Sequence, residues 1–333
     1  MEPLTHTLTA LMLSRAGFNR WCPRATLTAV LAANAPDVDF VSAVGGDAAI
    51  LEWHRGITHS LPAAPVVALL PLLVLWPWLR RRPRRWRLYL VSLAGVLSHI
   101  LLDWTNIYGV RLLAPWDPAW RRLDLVGVVD FWIAAVLVGA ASWMALARLV
   151  SSEIGSRPPA GGGIAVFALA AVLVVFTARY FLHERALAVL EARLYDGEEP
   201  LRVAAFPTIF NPFRWRGLVE TSGAWRSFEL DLAGGQFDPA GGRTYYKPEL
   251  PAAAEAVLGT DPFRVFLDFA AFPLWRVIPA EEPEGALMIQ VLDLRFSAPG
   301  EDRFAATATV TPGGQVLRAW FQYQPPGAPP RPR

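Results

Sequence analysis

Four of the five histidines lie in the first third of this sequence, beside aspartates at suggestive spacings. The candidate metal ligands there are His6, Asp37, Asp39, His54, His59, His99 and Asp103. Neutral imidazole and carboxylate groups suit zinc, manganese and iron. We therefore expect a divalent metal site, with zinc foremost, that holds one or two ions.

The spacing of these residues indicates how they would converge. His99 and Asp103 are four positions apart in an apolar stretch, so a helix would place both on one face, one turn apart. Asp37 and Asp39 flank a single valine just after a predicted helix, where a turn would present both carboxylates. Each pair can therefore offer two ligand groups from one short segment.

The segment 54–59 adds two histidines and an arginine. His54 and His59 bracket a glycine that lets the chain bend between them. Arg55 lies between two proposed ligands, and two roles stay open for it. It is a candidate catalytic residue that would hold an anionic substrate or transition state, or it forms a salt bridge to one of the aspartates at 37 and 39.

The chemistry available to such a set is hydrolytic. Four histidines and three aspartates suffice for two ions with a bridging carboxylate and an open position for water. Two ions about 3.5–4 Å apart would activate that water and stabilise the attacking and leaving oxygens of a phosphoester.

The elements that must position these residues are predicted to lie in a membrane. The chain has 333 residues, of which 53% are hydrophobic and only 18% charged, against about 25% charged residues in soluble domains. Apolar runs at 61–79, 88–102, 125–150 and 162–182 are typical of membrane spans, with 61–79 the clearest. The runs at 4–18 and 25–35 are short, and full spans, re-entrant segments and tilted half-helices all stay open for them.

The second half of the sequence mixes polar and apolar residues, with frequent glycine and proline, and this composition predicts a soluble domain. Predicted strands lie at 215–220, 225–232, 286–297, 303–310 and 316–323, the first two forming a hairpin, while 262–272 is compatible with a helix or a strand. The predicted fold class is thus a membrane α-helical bundle of about 4–6 transmembrane helices, followed by a β-rich soluble C-terminal domain. We assign 1–183 to the helical domain, 184–324 to the β-rich domain and 325–333 to a disordered tail.

Arginines set the expected orientation. A cluster at 80–87, together with Arg148 and Arg157, is predicted to stay in the cytoplasm. The candidate ligands and the β-rich domain then lie on the external face. Asp130 falls inside the predicted span 125–150 and is interpreted as an interfacial acid, with roles as a further ligand or as a partner of a ligand left open.

Several motifs together resemble a known family, the predicted membrane-bound metal-dependent hydrolases, some of which are DNA-damage-regulated bacterial inner-membrane proteins. The matching motifs are Thr5-His6, Pro36-Asp37-Val38-Asp39, His54-Arg55-Gly56-Ile57-Thr58-His59-Ser60 and Ser98-His99 with Asp103. They cover about residues 1–185. The resemblance implies a hydrolase in the bacterial inner membrane, and it implies no particular substrate.

The leading functional hypothesis is a membrane-bound, metal-dependent hydrolase of an ester or phosphoester, with membrane lipid or a lipid-linked molecule as its partner. A net charge of +2 gives no indication of nucleic-acid binding, and the single cysteine excludes a disulfide framework within the chain. The alternative is a non-catalytic metal-binding membrane protein, either a transporter or a sensor. In a third interpretation the C-terminal domain is a binding module that the membrane half anchors.

Overall fold

The computed structural model describes residues 1–79, 85–156, 161–235, 237–299 and 304–323. Among them, three helices are long and apolar enough to cross a membrane, and up to five spans result if two bent helix pairs each count as one. A helical N-terminal region followed by a β domain is therefore confirmed, with three to five candidate spans where four to six were expected. The orienting arginines at 80–84 and 157, and the tail at 325–333, lie outside the described residues.

The chain begins with a group of short helices. Helix α1 (Pro3–Leu13) continues into a π-helical turn (Ser14–Phe18) and a short α2 (Asn19–Trp21), and α3 (Ala25–Ala32) follows. Met12 of α1 belongs to a buried apolar cluster that includes residues of three later, longer helices. This burial fixes α1 in the interior of the helical region.

The segment that carries four of the candidate ligands consists of short pieces. A 3₁₀ helix (Pro36–Gly45) is followed by α4 (Asp47–Trp53) and a second 3₁₀ turn (Ile57–His59). Gly46 and Arg55 have φ angles of 90° and 62°, in the left-handed region, where the chain changes direction. The ligands here thus lie on tight turns between helices.

The prediction that 61–79 forms one continuous span is wrong. The stretch forms three short helices, α5 (Ala64–Val67), α6 (Leu70–Val74) and α7 (Trp76–Leu79), each with a proline in its first turn. Proline is tolerated there because the first N–H groups of a helix lack partners, but it interrupts a longer hydrogen-bond ladder. The unit 64–74 meets the unit 47–59 at 88°, as a broken span or a re-entrant loop.

Helix α8 (Arg85–Thr105) covers the apolar run at 88–102, is a candidate membrane span and carries two candidate ligands. It crosses close to α3 at Gly95. A Cβ added there would lie 2.8 Å from the Cβ of Ala32 and 2.9 Å from the carbonyl oxygen of Ala29. Glycine at this position therefore permits the close approach of α8 to α3.

The last two long helices are α9 (Phe131–Glu153) and α10 (Gly162–Glu191). The predicted start at 125 is wrong, because the helix begins at Phe131, directly after Asp130. Asp130 is buried and caps α9, accepting hydrogen bonds from the backbone N–H groups of Trp132 and Ile133 at 3.0 and 3.1 Å. It also pairs with Arg179 of α10 at 3.2 Å. Helix α10 continues past the predicted end at 182.

Two four-stranded antiparallel sheets make up the second half. The first has the order β1 (Arg202–Pro207), β2 (Arg214–Glu220), β3 (Ala224–Asp231) and β4 (Arg243–Tyr246). Helices α11 (Ala253–Leu258) and α12 (Asp261–Phe269) lead to the second, with the order β5 (Pro273–Pro279), β6 (Leu287–Asp293), β7 (Phe304–Val310) and β8 (Val316–Tyr323). The predicted β2–β3 hairpin is confirmed.

The helical region and the β domain share a core. Leu51 of α4 is buried in the same apolar cluster as Phe263 and Phe266 of α12. At its edge, Arg264 pairs with Glu52 at 3.3 Å. The segment that bears the candidate ligands is therefore held directly against the β domain.

Candidate metal centre

All seven residues predicted as ligands come together at the end of α8 that faces the β domain. They form three overlapping groups, and within each group one ligand atom per residue lies within 4.8 Å of the others. The groups are His6, His99 and Asp103; then Asp37, His59 and His99; then Asp39, His54 and His59. Because His59 and His99 each belong to two groups, the three groups form one continuous cluster.

The centre of the cluster has the spacing that a metal ion requires. The Nε2 atoms of His59 and His99 are 3.0 Å apart. Asp37 Oδ1 lies 3.4 and 3.6 Å from these two nitrogens, and Asp103 Oδ2 lies 3.6 and 3.4 Å from them. Four ligand atoms placed about 2.0–2.1 Å from a zinc ion in a tetrahedron would lie about 3.3 Å from one another. The donor set and its spacing therefore fit a divalent ion.

Hydrogen bonds orient both central imidazoles. His99 Nδ1 is 2.6 Å from the carbonyl oxygen of Ala33, so Nδ1 carries the proton and Nε2 presents its lone pair to the cluster. His59 Nδ1 lies 3.1 Å from Asp39 Oδ2, and the same argument directs its Nε2 inward. The close passage of α8 over α3 at Gly95 brings the Ala33 carbonyl within reach of His99.

Asp39 has the contacts of a residue that orients its neighbours. Its Oδ1 lies 2.8 Å from His54 Nδ1, and its Oδ2 accepts hydrogen bonds from the Thr58 hydroxyl at 2.5 Å and the Arg55 backbone N–H at 3.1 Å. Both oxygens are thus already engaged. That Asp39 is itself a ligand stays a prediction.

His6 contributes from α1. Its ring stacks on His99 with centroids 3.7 Å apart, and its Nε2 lies 3.4 Å from Asp103 Oδ1 and 3.2 Å from the Met1 carbonyl oxygen. Among the described residues its buried Nδ1 has no hydrogen-bond partner. The short helix α1 therefore does reach the cluster.

Access to the cluster is one-sided. The side chains of His6, His59, His99 and Asp103 are at most 1% exposed, whereas Asp37 is 26% and His54 is 17% exposed. A ligand from outside would therefore approach between Asp37 and His54.

Arg55 pairs through its side chain with Asp103, not with Asp37 or Asp39. Its Nε lies 3.1 Å from Asp103 Oδ2, and its Nη1 donates to Asn106 Oδ1 at 3.1 Å. The guanidinium carbon lies 4.6 Å from the ring centre of Tyr108, a cation–π contact. Asp103 is thus bound on one side by a fixed cation.

No sequence pattern indicated Asn106, Tyr108 or their support from the β domain. Arg295 donates to the carbonyl oxygens of Ile107 at 3.0 Å and Tyr108 at 3.5 Å. The Tyr108 ring also lies 4.7 Å from that of Phe269. Arg295 and Phe269 hold the loop that Arg55 contacts. No sequence motif connects these two residues with that loop.

Burial shifts two pKa values in the loop between α8 and α9. It raises the pKa of Tyr108 to about 12, so the phenol beside Arg55 stays neutral. It also raises the pKa of Asp124 to about 6, although Arg122, whose Nε lies 3.0 Å away, acts in the opposite direction.

Comparison with known proteins supports the helical half most strongly. The family model described as YdjM inner membrane protein matches residues 1–185. A similar protein is the uncharacterized protein YfhP of Bacillus subtilis, 27% identical over 291 residues, which are 85% of this chain and 80% of that protein. No solved structure matches. The matched region contains all seven candidate ligands and ends before the first strand.

Proposed function

The chain belongs to the YdjM inner membrane protein family, and we propose from its cluster of histidines and aspartates that it is a membrane-bound, metal-dependent hydrolase. Its substrate would be an ester or phosphoester, lipid-linked or presented at the membrane surface. The observation that carries the proposal is the set of two imidazole nitrogens and two carboxylate oxygens at 3.0–3.6 Å.

The chain's own groups have distinct tasks in this proposal. His59, His99, Asp37 and Asp103 would hold the ion, with His6 and His54 at the edges of this set. A bound divalent ion would supply Lewis acidity and lower the pKa of a water toward about 7. The hydrogen bonds at the two Nδ1 atoms keep both Nε2 lone pairs directed into the cluster.

Arg55 supplies the fixed positive charge. Its guanidinium offsets the buried carboxylate of Asp103, and its charge lies beside the position where an anionic transition state would develop. Asp37 and His54, the most exposed members of the cluster, mark the side from which the scissile group would approach. The remainder of a lipid-linked substrate would stay in the membrane.

The location of the cluster favours an enzyme over a transporter. A transporter places its binding site near the middle of the bilayer. Here His99 and Asp103 lie in the last two turns of α8, and α4 packs on the β domain. Ligands at this level can reach lipid head groups.

Metal analysis of the purified protein, combined with turnover of bis(p-nitrophenyl) phosphate and short-chain esters, tests the function. Arg55→Lys should lower turnover and Arg55→Ala should lower it further, both with metal content near wild type, because lysine lacks the planar fork of arginine. A fully metallated protein that is inactive on both substrate types would favour a transporter or sensor. Loss of metal in Arg55→Ala would make Arg55 a partner of the ligands alone.

The proposed orientation has its own test. We propose that the cluster and the β domain face the outside of the cell. The exposed residue Ala240 offers a labelling site, as Ala240→Cys in a Cys22→Ser background. An impermeant maleimide should label it in intact cells. Labelling only after lysis would reverse the orientation.

A further inference from the structure

The loop 208–213, between β1 and β2, exposes three large apolar side chains. Ile209 is 55%, Phe210 69% and Phe213 45% exposed. Soluble surfaces carry single exposed apolar residues commonly, but three on one six-residue loop form a patch that needs a partner. The family model ends before this loop, so the helical site does not explain it.

The loop is held in shape by its own hydrogen bonds. The Thr208 hydroxyl lies within hydrogen-bond distance of the carbonyl oxygens of Asn211 and Arg214, at 3.0 and 2.9 Å. The Asn211 side chain accepts from the backbone N–H of Phe213 at 2.9 Å. Because these bonds fix the turn, the apolar side chains are presented by a defined conformation.

The loop contacts the first turn of a candidate membrane span. Trp132 of α9 donates its indole N–H to the Phe210 carbonyl oxygen at 2.9 Å. The ring of Phe131 lies 5.5 Å from that of Phe210. Phe131 and Trp132 are themselves 45% and 41% exposed. The apolar surface of the span therefore continues without a break onto the β domain.

The neighbouring helix has exposed aromatic residues near the same level. Trp215, the second residue of β2, contacts α10, with its ring 5.6 Å from that of His183. Tyr180 and Phe181, one turn earlier on α10, are 49% and 66% exposed. Aromatic residues collect where a span meets the lipid head groups.

We propose that loop 208–213 enters the boundary between lipid head groups and acyl chains, and that the lipid bilayer is its binding partner. This inference rests on the membrane location in the proposed function, and it is independent of metal binding and hydrolysis. With α9 and α10 anchored in the bilayer, the loop gives the β domain a third point of attachment. The domain, and the candidate centre beside it, then keeps a fixed height above the lipid.

Spin labels on the full chain in lipid vesicles test the proposal. In a Cys22→Ser background, Phe210→Cys and Ile209→Cys place labels on the loop. Tyr246→Cys is the matched control, because Tyr246 is 80% exposed and lies at the opposite end of the same sheet. Leu146→Cys, 56% exposed in α9, is the lipid reference.

The loop labels should collide with dissolved oxygen more, and with a water-soluble nickel complex several-fold less, than the label at 246. Equal nickel accessibility at 209, 210 and 246, with the label at 146 protected, would overturn the loop proposal alone. If the label at 146 were as accessible as that at 246, the membrane location would fail as well. The second loop position, Ile209→Cys, controls for a local disturbance of the loop by the label at 210.

Discussion

Two buried aspartates, one in each half of the molecule, differ in how many hydrogen bonds their carboxylates accept. Asp293 in the β domain accepts from Arg295 Nη2 and Nε at 2.7 and 2.9 Å, from the Ala271 N–H at 3.0 Å and from the Arg295 N–H at 2.9 Å. Asp103 in the helical half has Arg55, His59 and His99 around its Oδ2 at 3.1–3.6 Å. None of the described residues donates a well-aligned hydrogen bond to that oxygen.

The two environments differ in the groups that reach the carboxylate. A buried carboxylate is stable in a protein when donors satisfy its oxygens, as they do for Asp293. Around Asp103 Oδ2, Arg55 lies on one side and the Nε2 atoms of His59 and His99 lie on the other. Under the proposed function, a divalent cation would satisfy this oxygen and both imidazole nitrogens together.

The largest expected effect comes from removing the partner of Asp293, the carboxylate whose hydrogen bonds are satisfied. Arg295→Met keeps the volume of the side chain but leaves Asp293 as a buried charge without its partner. We expect a loss of about 3–5 kcal/mol in the free energy of unfolding. Chemical denaturation in detergent measures it, with the exposed Arg318→Met as control. Equal stability of the two variants would contradict the role of this pair.

Removing a central imidazole tests the other aspartate of the comparison, Asp103, and the metal site proposed around it. His99→Gln deletes an inward Nε2, and we expect metal affinity to fall by more than about 100-fold, beyond the range for a residue that only orients a ligand. Titration calorimetry with zinc measures the affinity. His183→Gln, which alters the one histidine outside the cluster, should bind like wild type. An unchanged affinity in His99→Gln would place the ion elsewhere.

A smaller effect concerns Asp124, which differs from both of these aspartates because burial raises its pKa to about 6. Its pKa in the fold, about 6, lies above the ordinary value of 3.8, so folding favours the protonated form. The resulting stability is complete below about pH 4 and is lost as the pH rises through about 6, by on the order of 2 kcal/mol. Asp124→Asn should abolish this part of the pH dependence in melting curves from pH 4 to 7.5. Identical wild-type and variant profiles would contradict it.

The sequence predicted the convergence of the candidate ligands better than the elements that carry them. Histidine and aspartate are rare in apolar segments, so each one there is a candidate for function, and all seven predicted ligands converge in the fold. Average hydropathy does not show which backbone N–H groups form hydrogen bonds. It therefore did not reveal that the prolines divide 61–79 or that Asp130 caps a helix. A capping residue can be recognised only when the first residue of the helix is known, and an apolar run does not show where the helix begins.

The supports of the site were hidden for a different reason. Arg295 reaches the Ile107 carbonyl across 188 residues and from another domain. No local period or motif connects such positions. Tyr108 likewise shows no pattern until Arg55 is seen to stack on it.

The bond from Arg295 to the loop at 107–108 also has a consequence for biogenesis. The ribosome makes the loop and every candidate ligand long before it makes Arg295. During that interval the surface that will brace the loop is still unsynthesised. The contact requires Arg295 and the loop to lie on the same side of any membrane that the helices cross. The loop at 107–108 therefore gains its last support only near the end of translation.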